Sequence, residues 1–419
     1  MVITAHNIEQ KPGYKHTEIG WLPEDWEVKH LDEIAEVVMG QSPVGTSYNQ
    51  NGNGFPLING PTEFTDKYPI KIQWTSQPTK FCQKNDILLC VRGSSTGRIN
   101  IANDEYCIGR GVAAIRARTE TDIQYIKYQV DCVITNILAL TTGSTFPNID
   151  GKSIRSIKFA FPPLPEQQAI AAALGDVDAL IASLDALIAK KRDIKAATMQ
   201  QLLTGKTRLP GFSGAWEVKK FGEIFQFLST ANNARSDLSM YGDIKYIHYG
   251  DIHVKWRSFL DCASEEIPSI QKDKVGNVPF LEDGDLIMVD ASEDYEGIGI
   301  SVEVKNITDK KIVAGLHTFL LRGNKEIVAD GFKGYLQYFP TVSSALRKAA
   351  TGISVYGISK NNIKDILISL PPLPEQQAIA TILSDMDAEI ALVEQRRDKT
   401  RALKQAMMQE LLTGKTRLR

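Results

Sequence analysis

Several short stretches carry residue types that could do chemistry. Gly205-Lys206-Thr207, Gly414-Lys415-Thr416 and Gly151-Lys152-Ser153 suggest a phosphate-binding loop. Such a loop needs an earlier glycine at fixed spacing, and Gln200, Gln409 and Phe146 stand there instead. A helix cap followed by a basic turn fits these positions better. Glu303-Val-Lys305, downstream of Asp290, has the look of a metal-dependent nuclease centre. Glu-x-Lys also occurs at Glu27–Lys29 and Glu217–Lys219, so the pattern is not diagnostic. His248 and His253 flank Asp251 with no further ligand cluster, and they read as solvated or strand-face histidines rather than a metal site. The five cysteines, Cys82, Cys90, Cys107, Cys132 and Cys262, form no CxxC pair, which argues for reduced thiols.

A different group is better suited to contacting a polyanion. The loops Gly93–Arg98 and Gly143–Asn148 bring Ser94, Ser95, Thr96, Ser144, Thr145 and Asn148 near Arg92, Arg98, Arg110 and Lys152. Thr351, Ser354 and Tyr356, with Ser292, are the candidates in the second half. Hydroxyls, backbone N–H groups and arginine forks of this kind suit phosphates and base edges, and ordinary polar turns are the alternative reading.

What must position these loops is visible in a repeat. PPLPEQQAIA occurs at Pro162–Ala171 and again at Pro371–Ala380, and LLTGKTRL at Leu202–Leu209 and Leu411–Leu418. The two segments align without a gap, with roughly thirty of forty-eight positions identical. Each follows a longer, divergent segment of about 140 residues, inside the usual domain range. Weak echoes link the divergent segments: Trp26–Lys29 with Trp216–Lys219, and Asp86–Gly93 with Asp285–Ser292.

The repeated segment reads as a long helix. Pro165 and Pro374 suit a first turn, where the missing N–H costs nothing, and Gly205 and Gly414 suit the C-terminal cap. Apolar residues follow a coiled-coil seam at Ile170, Leu174, Val177, Ile181, Leu184 and Ile188, then Ile379, Leu383, Met386, Ile390 and Val393. The seam falters near Lys191 and Thr400 and is expected to resume near Ile194 and Leu403. From Glu166 to Thr204 the helix would be about 58 Å long. An antiparallel pair, copy against copy, is expected; burial in a larger bundle is the alternative. In the divergent segments, Asp86–Val91, Val112–Arg116, Asp285–Val289 and His317–Leu321 read as strands. Ile123–Leu140 and Gly334–Ala349 have helical spacing.

The chain has 419 residues, 43% hydrophobic and 23% charged, with net charge −2. It therefore has no global basic field, although a local basic face would suffice for DNA. Its first residues are polar and it has no apolar run of membrane-spanning length, so a cytoplasmic protein is expected.

With these motifs in place, the chain resembles the specificity (S) subunits of type I restriction–modification systems. The resemblance rests on PPLPEQQAIA, the long helix and LLTGKTRL, placed twice after divergent domains, and on Ile19–Lys29 at the start. It implies an α+β chain with two α/β target-recognition domains, at 1–161 and 210–370. Two spacer helices, within 162–209 and 371–419, would separate them as an antiparallel coiled coil with pseudo-two-fold symmetry. It further implies a non-catalytic subunit that reads a bipartite double-stranded DNA target. Two methyltransferase subunits and ATP-dependent restriction subunits would be its partners. S-adenosylmethionine, ATP and Mg would belong to those partners, with no cofactor in this chain. A coiled-coil scaffold binding proteins instead of DNA, and a self-sufficient DNA enzyme, are the competing classes. Four residues inserted near Lys190 are expected to lengthen the recognised spacer by about one or two base pairs.

Overall fold

The computed structural model describes residues 12–140, 148–352 and 355–418, with the side chains of 135–140 left aside. It divides into two compact units, Met1–Asp185 with Gln395–Arg419, and Ala186–Glu394. Each unit thus holds one divergent domain and a part of each long helix.

The echo Trp-Glu-Val-Lys marks a closure strand. In the first unit Glu27–His30 pairs antiparallel with Lys158–Phe161. In the second, Glu217–Lys220 pairs with Leu367–Leu370 in the same way. The chain therefore enters and leaves each domain on neighbouring strands, and a long helix starts just after the exit strand.

Between these strands, each unit builds two main sheets, and the second adds the short pair Ala291–Ser292 with Tyr356–Gly357. In the first, Ile99–Ile101, Ile87–Cys90, Val112–Ala117 and Ala35–Met39 lie in that order, all antiparallel. Its second sheet runs Tyr48–Asn49, Trp74–Thr75, Phe55–Ile58, Tyr106–Ile108, Phe81–Cys82, with Tyr106–Ile108 parallel to Phe55–Ile58. The second unit has Phe225–Leu228, Thr318–Gly323, Leu286–Val289 and Ser301–Lys305 in antiparallel order and adds Ser258–Asp261, parallel to Ser301–Lys305. Its smaller sheet again has one parallel pair, Ile244–Ile247 with Ile312–Ala314. The strand Ile87–Cys90 is buried on both faces, as its unbroken apolar run requires. The helix Ile123–Leu140 packs Ile126, Val130 and Ile134 on that core.

A buried carboxylate braces the sheet that holds Ile87–Cys90 and the sheet that holds Leu286–Val289. Arg116 forks onto Asp86 at 3.0 and 2.8 Å, and Arg322 onto Asp285 at 2.9 and 2.8 Å. The stretch with helical spacing at Gly334–Ala349 divides in two. A 3-10 turn covers Lys333–Tyr338 and an α-helix covers Pro340–Ala349, because Pro340 cannot continue a helix but readily starts one.

The long helices span Leu164–Leu202 and Leu373–Leu411, 39 residues each. At 1.5 Å of rise per residue, each is about 58 Å long. Gly205 and Gly414 follow them at φ 67° and 69°, a left-handed conformation that glycine adopts without strain. Within each unit the helices run antiparallel, and contacts recur pairwise. In the first unit Asp178 takes the Lys404 ammonium at 2.7 Å and the Tyr128 hydroxyl at 2.7 Å. In the second, Asp387 takes Lys195 at 2.5 Å and Tyr335 at 3.2 Å. Burial holds both tyrosine hydroxyls well above their ordinary pKa, so they remain donors.

These contacts correct one expectation. Ile194 and Leu403 do not resume the seam; they are 47% and 56% exposed. The stripe runs on instead through Lys195, Met199 and Leu202, and through Thr400, Lys404 and Leu411. Lys195 and Lys404 occupy seam positions because each has an aspartate of the opposite helix to meet.

The repeated end motifs form a clasp. Arg417 forks onto Glu166 at 2.7 Å through both Nε and Nη2, and onto Asp25 at 2.8 and 2.7 Å. Arg208 forks onto Glu375 at 2.6 Å through both nitrogens. Thus LLTGKTRL of each copy grips PPLPEQQ of the other. The next residue anchors the domain: Gln167 accepts the Asp122 N–H at 2.9 Å, and Gln376 accepts the Ala329 N–H at 2.9 Å. All four Glu and Gln side chains are buried.

Candidate nucleic-acid interface

In each unit, the sheet that pairs Phe55–Ile58 with Tyr106–Ile108, or Ile244–Ile247 with Ile312–Ala314, delivers loops to one place. In the first unit, the parallel strands Phe55–Ile58 and Tyr106–Ile108 end together, and the Gly109 N–H bonds the Ile58 carbonyl at 2.8 Å. The chain then turns through Gly109-Arg110-Gly111. The Val91 N–H bonds the Gly111 carbonyl at 2.9 Å, which sets Arg92 beside that turn. Arg92 bridges to Asn148, and the Ile149 N–H bonds the Val91 carbonyl at 3.0 Å. An open hollow results, lined by Ser42, Tyr48, Asn59, Arg92 and Arg110.

Arg92, Arg110 and Asn148, expected from the sequence, are therefore together and exposed. Ser94 and Lys152 are exposed and Ser95 is half-buried. Two candidates depart from the picture of open loop groups. Thr96 is buried and its hydroxyl bonds the Gly93 carbonyl at 2.8 Å, so it shapes the loop. Arg98 is committed to the carbonyls of Pro61 and Phe64 at 3.3 and 3.0 Å. Ser144 and Thr145, with Ser354 of the other unit, lie outside the described residues. No sequence pattern flags Ser42, Tyr48 and Asn59, because only the pairing of strands distant in sequence brings them to Arg110. Asn59-Gly60-Pro61 is legible as a turn and nothing more.

In the second unit the same backbone pattern carries other side chains. The Gly315 N–H bonds the Ile247 carbonyl at 2.9 Å, and the Asp290 N–H bonds the His317 carbonyl at 3.1 Å. His248 stands in the place of Asn59, Leu316 in that of Arg110, and Ala291 in that of Arg92. The Tyr249 ring lies 4.5, 6.1 and 5.2 Å from the His248, His253 and His317 rings. His317 Nδ1 lies 3.1 Å from the Asp290 carboxylate. Tyr356, half-buried, stacks on Tyr295 with centroids 4.0 Å apart, and Thr351 is exposed. Ser292 is buried and its hydroxyl oxygen accepts the Asp294 N–H at 3.2 Å, a turn-forming role.

The other chemical candidates resolve into structure. His248 is not solvated: it caps a short helix, its Nδ1 accepting the Gly250 N–H at 3.1 Å. Burial, aided by Arg235, pushes its pKa below the ordinary value. Glu303 is buried and bonds the N–H groups of Gly331 and Gly334 at 2.6 and 2.9 Å, near the buried Lys333 at 3.4 Å. Burial raises its carboxyl pKa, and this is a core brace rather than an open metal centre. Glu27–Lys29 and Glu217–Lys219 are ion pairs at 2.8 and 2.9 Å. Gly151-Lys152-Ser153 opens a short helix whose end is occupied by Asp150, which accepts the Ser153 N–H at 2.8 Å. The five cysteines are free, and burial pushes Cys82 and Cys262 up to about 12. Among the described residues, no group of His, Cys, Asp and Glu could hold a metal ion, and no helix is long and apolar enough to cross a membrane.

A duplicated, clasped helix pair carrying two domains alike in backbone and different at the loop ends defines a class. The chain belongs to the type I restriction modification DNA specificity domain family, whose model matches residues 23–190 and 214–400. It is similar to the putative type I restriction enzyme MjaX specificity subunit of Methanocaldococcus jannaschii, 39% identical over 199 residues. That match spans about half of each protein, 47% of this chain and 47% of the relative. To the MjaVIII specificity subunit of the same organism it is 25% identical over 412 residues, covering 95% of this chain and 94% of the relative. Among solved structures, it shares a fold with the S subunit of a type I restriction-modification system from M. genitalium. There the TM-score is 0.53 at 17% identity, covering 92% of this chain and 96% of that one.

Proposed function

We propose that this chain is the sequence-reading subunit of a type I restriction–modification complex, acting on double-stranded DNA in the cytoplasm. Each unit reads one half of a bipartite target. The helix pair offers two similar seats to two methyltransferase subunits, to which restriction subunits add. The partners bind S-adenosylmethionine, ATP and Mg and perform all chemistry, including flipping the target adenine. The reading rests on one observation. The brace, the Tyr–Asp–Lys trio and the clasp recur with the same chemistry in both units, while the loop ends differ in charge and shape. A scaffold held constant around variable tips is what sequence selection requires.

The test is co-expression with the cognate methyltransferase in a host lacking other adenine methylation, followed by methylome sequencing. The expected result is one asymmetric, two-part motif. With net charge −2, the chain alone should bind duplex DNA weakly and the complex tightly. Equal affinity with and without the methyltransferase, or methylation with no motif, would overturn the proposal.

A further inference from the structure

The hollow of the first unit is a built site, and its chemistry is specific. Arg110 projects from a turn with no slack. A Cβ on Gly109 would stand 1.8 Å from the Asn59 Oδ1, and one on Gly111 2.3 Å from the Asn59 carbonyl oxygen. The Arg110 N–H bonds the Ser42 hydroxyl at 3.1 Å, and the neighbouring Gln41 N–H bonds the Ile108 carbonyl at 2.9 Å. Ser42 in turn reaches the Asn59 Oδ1 at 3.4 Å, and the Asn59 amide donates to Gln73 at 3.3 Å. The mount of the arginine is therefore fixed by backbone packing and three polar side chains.

Its guanidinium, in contrast, is uncommitted. Arg98, Arg116 and Arg155 each spend their donors on carbonyls or carboxylates of the domain. Arg110 and Arg92 make no side-chain hydrogen bond or ion pair among the described residues, and both line the hollow. A rigidly mounted, exposed fork has the geometry to meet two acceptors in one plane. On duplex DNA, the guanine O6 and N7 form that pair in the major groove. The second unit has the same backbone turn with Leu316 in place of Arg110 and Ala291 in place of Arg92, so this chemistry belongs to the first unit alone.

We infer that Arg110, held by Gly109, Gly111, Ser42 and Asn59 and flanked by Arg92, reads a guanine in the half-site bound by the first unit. The second half-site is read without an arginine at the matching positions. This rests on the DNA-reading function proposed above.

The experiment is methylome sequencing of the chain co-expressed with its methyltransferase, as wild type, Arg110→Ala, Arg110→Lys and His317→Ala. Arg110→Ala should make one guanine position of one half degenerate, with discrimination there falling about 10- to 100-fold, and leave the other half intact. Arg110→Lys should relax the same position, since lysine keeps the charge but loses the planar fork. His317→Ala should not alter that half. A wild type with no motif defeats the parent proposal, not this one alone. A clear wild-type motif that Arg110→Ala leaves unchanged, or weakens uniformly at every position, overturns the inference and makes Arg110 a phosphate contact or a bystander. Relaxation at an adenine or thymine pair also overturns it.

Discussion

The clasp can be tested by removing one guanidinium. Arg417→Ala leaves the Glu166 carboxylate, 6% exposed, with only the Trp26 indole N–H at 2.9 Å and the Leu418 N–H at 3.3 Å. Breaking a buried pair by deleting one partner costs about 3–5 kcal/mol, because the remaining charge stays out of water. The Asp25 arm adds little, since Asp25 is 53% exposed and such pairs are worth under about 1 kcal/mol. The lower end, about 3 kcal/mol, is therefore expected. For a cooperative unit of about 200 residues, each kcal/mol shifts Tm by about 2–4 °C, so a fall of about 6–12 °C should appear in calorimetry. Glu166→Gln alone should cost less, because glutamine keeps an acceptor for Trp26. The double variant should be more stable than the sum of the single effects implies, by about 1–2 kcal/mol, since no buried charge is then left over. An Arg417→Ala midpoint within about 1 °C of wild type, or strict additivity in the cycle, would refute the reasoning.

Three further outcomes follow from the same contacts. Ala215 stands where Asp25 stands in the other copy, so Ala215→Asp gives Arg208 a second carboxylate and should raise the melting midpoint by about 1–2 °C in low salt. The His248 pKa is lowered in the folded state, so the unfolded chain binds that proton more readily. Stability tied to it is complete above the unfolded value of about 6.5 and is lost as pH falls below it; His248→Asn, which keeps a helix cap, should flatten the loss on acidification from about pH 7.5 to about pH 5.5 in urea titrations. Spacer length should respond only to matched insertions. About seven residues added both between Asp185 and Lys191 and between Glu394 and Arg397 lengthen each helix by about 10.5 Å, close to three base pairs. The methylated motif should gain about that spacing. The cross-helix pairs correct the expectation for a single insertion near Lys190: it slides Lys195 from Asp387 and Arg208 from Glu375, so methylation should be lost rather than respaced.

Periodicity carries the sequence reading wherever neighbours along the chain decide the structure. The long helices, their prolines and cap glycines, the helix Ile123–Leu140 and the strands near Asp86 and Asp285 are all legible for that reason. It misleads where a seam position is polar. A rule that counts apolar residues passes over Lys195 and Lys404 and selects Ile194 and Leu403, which face solvent. The clasp is invisible in the sequence because Glu166 and Arg417 are remote from each other, and nothing local marks a carboxylate for burial. The hollow is half legible: charge and turn chemistry mark Arg92 and Arg110. Asn59 becomes a neighbour of Arg110 only through a parallel strand pair and Ser42 only through the antiparallel pairing of Ala35–Met39 with Val112–Ala117, registers that no local pattern reveals.

The crosswise clasp also accounts for which parts of the repeat agree. Glu166 answers to Arg417 and Glu375 to Arg208, so each end motif is fitted to the opposite end of the other copy. A change at either end of one copy loses its partner unless the other copy changes too, which ties the two copies together at PPLPEQQ and at LLTGKTRL. Toward the middle of the helices the constraint loosens. Arg192 pairs with Glu394 at 2.5 Å and its counterpart Arg401 with Asp185 at 3.0 Å, but Lys191–Glu389 at 2.6 Å and Arg397–Asp185 at 3.4 Å have no counterpart at the symmetry-related positions. There Leu184–Ala189 and Val393–Asp398 share no residue in register. Two-fold chemistry is strictest where the helices meet the domains; toward the middle the two-fold-related pairs Arg192–Glu394 and Arg401–Asp185 persist, joined by asymmetric pairs that help fix the register.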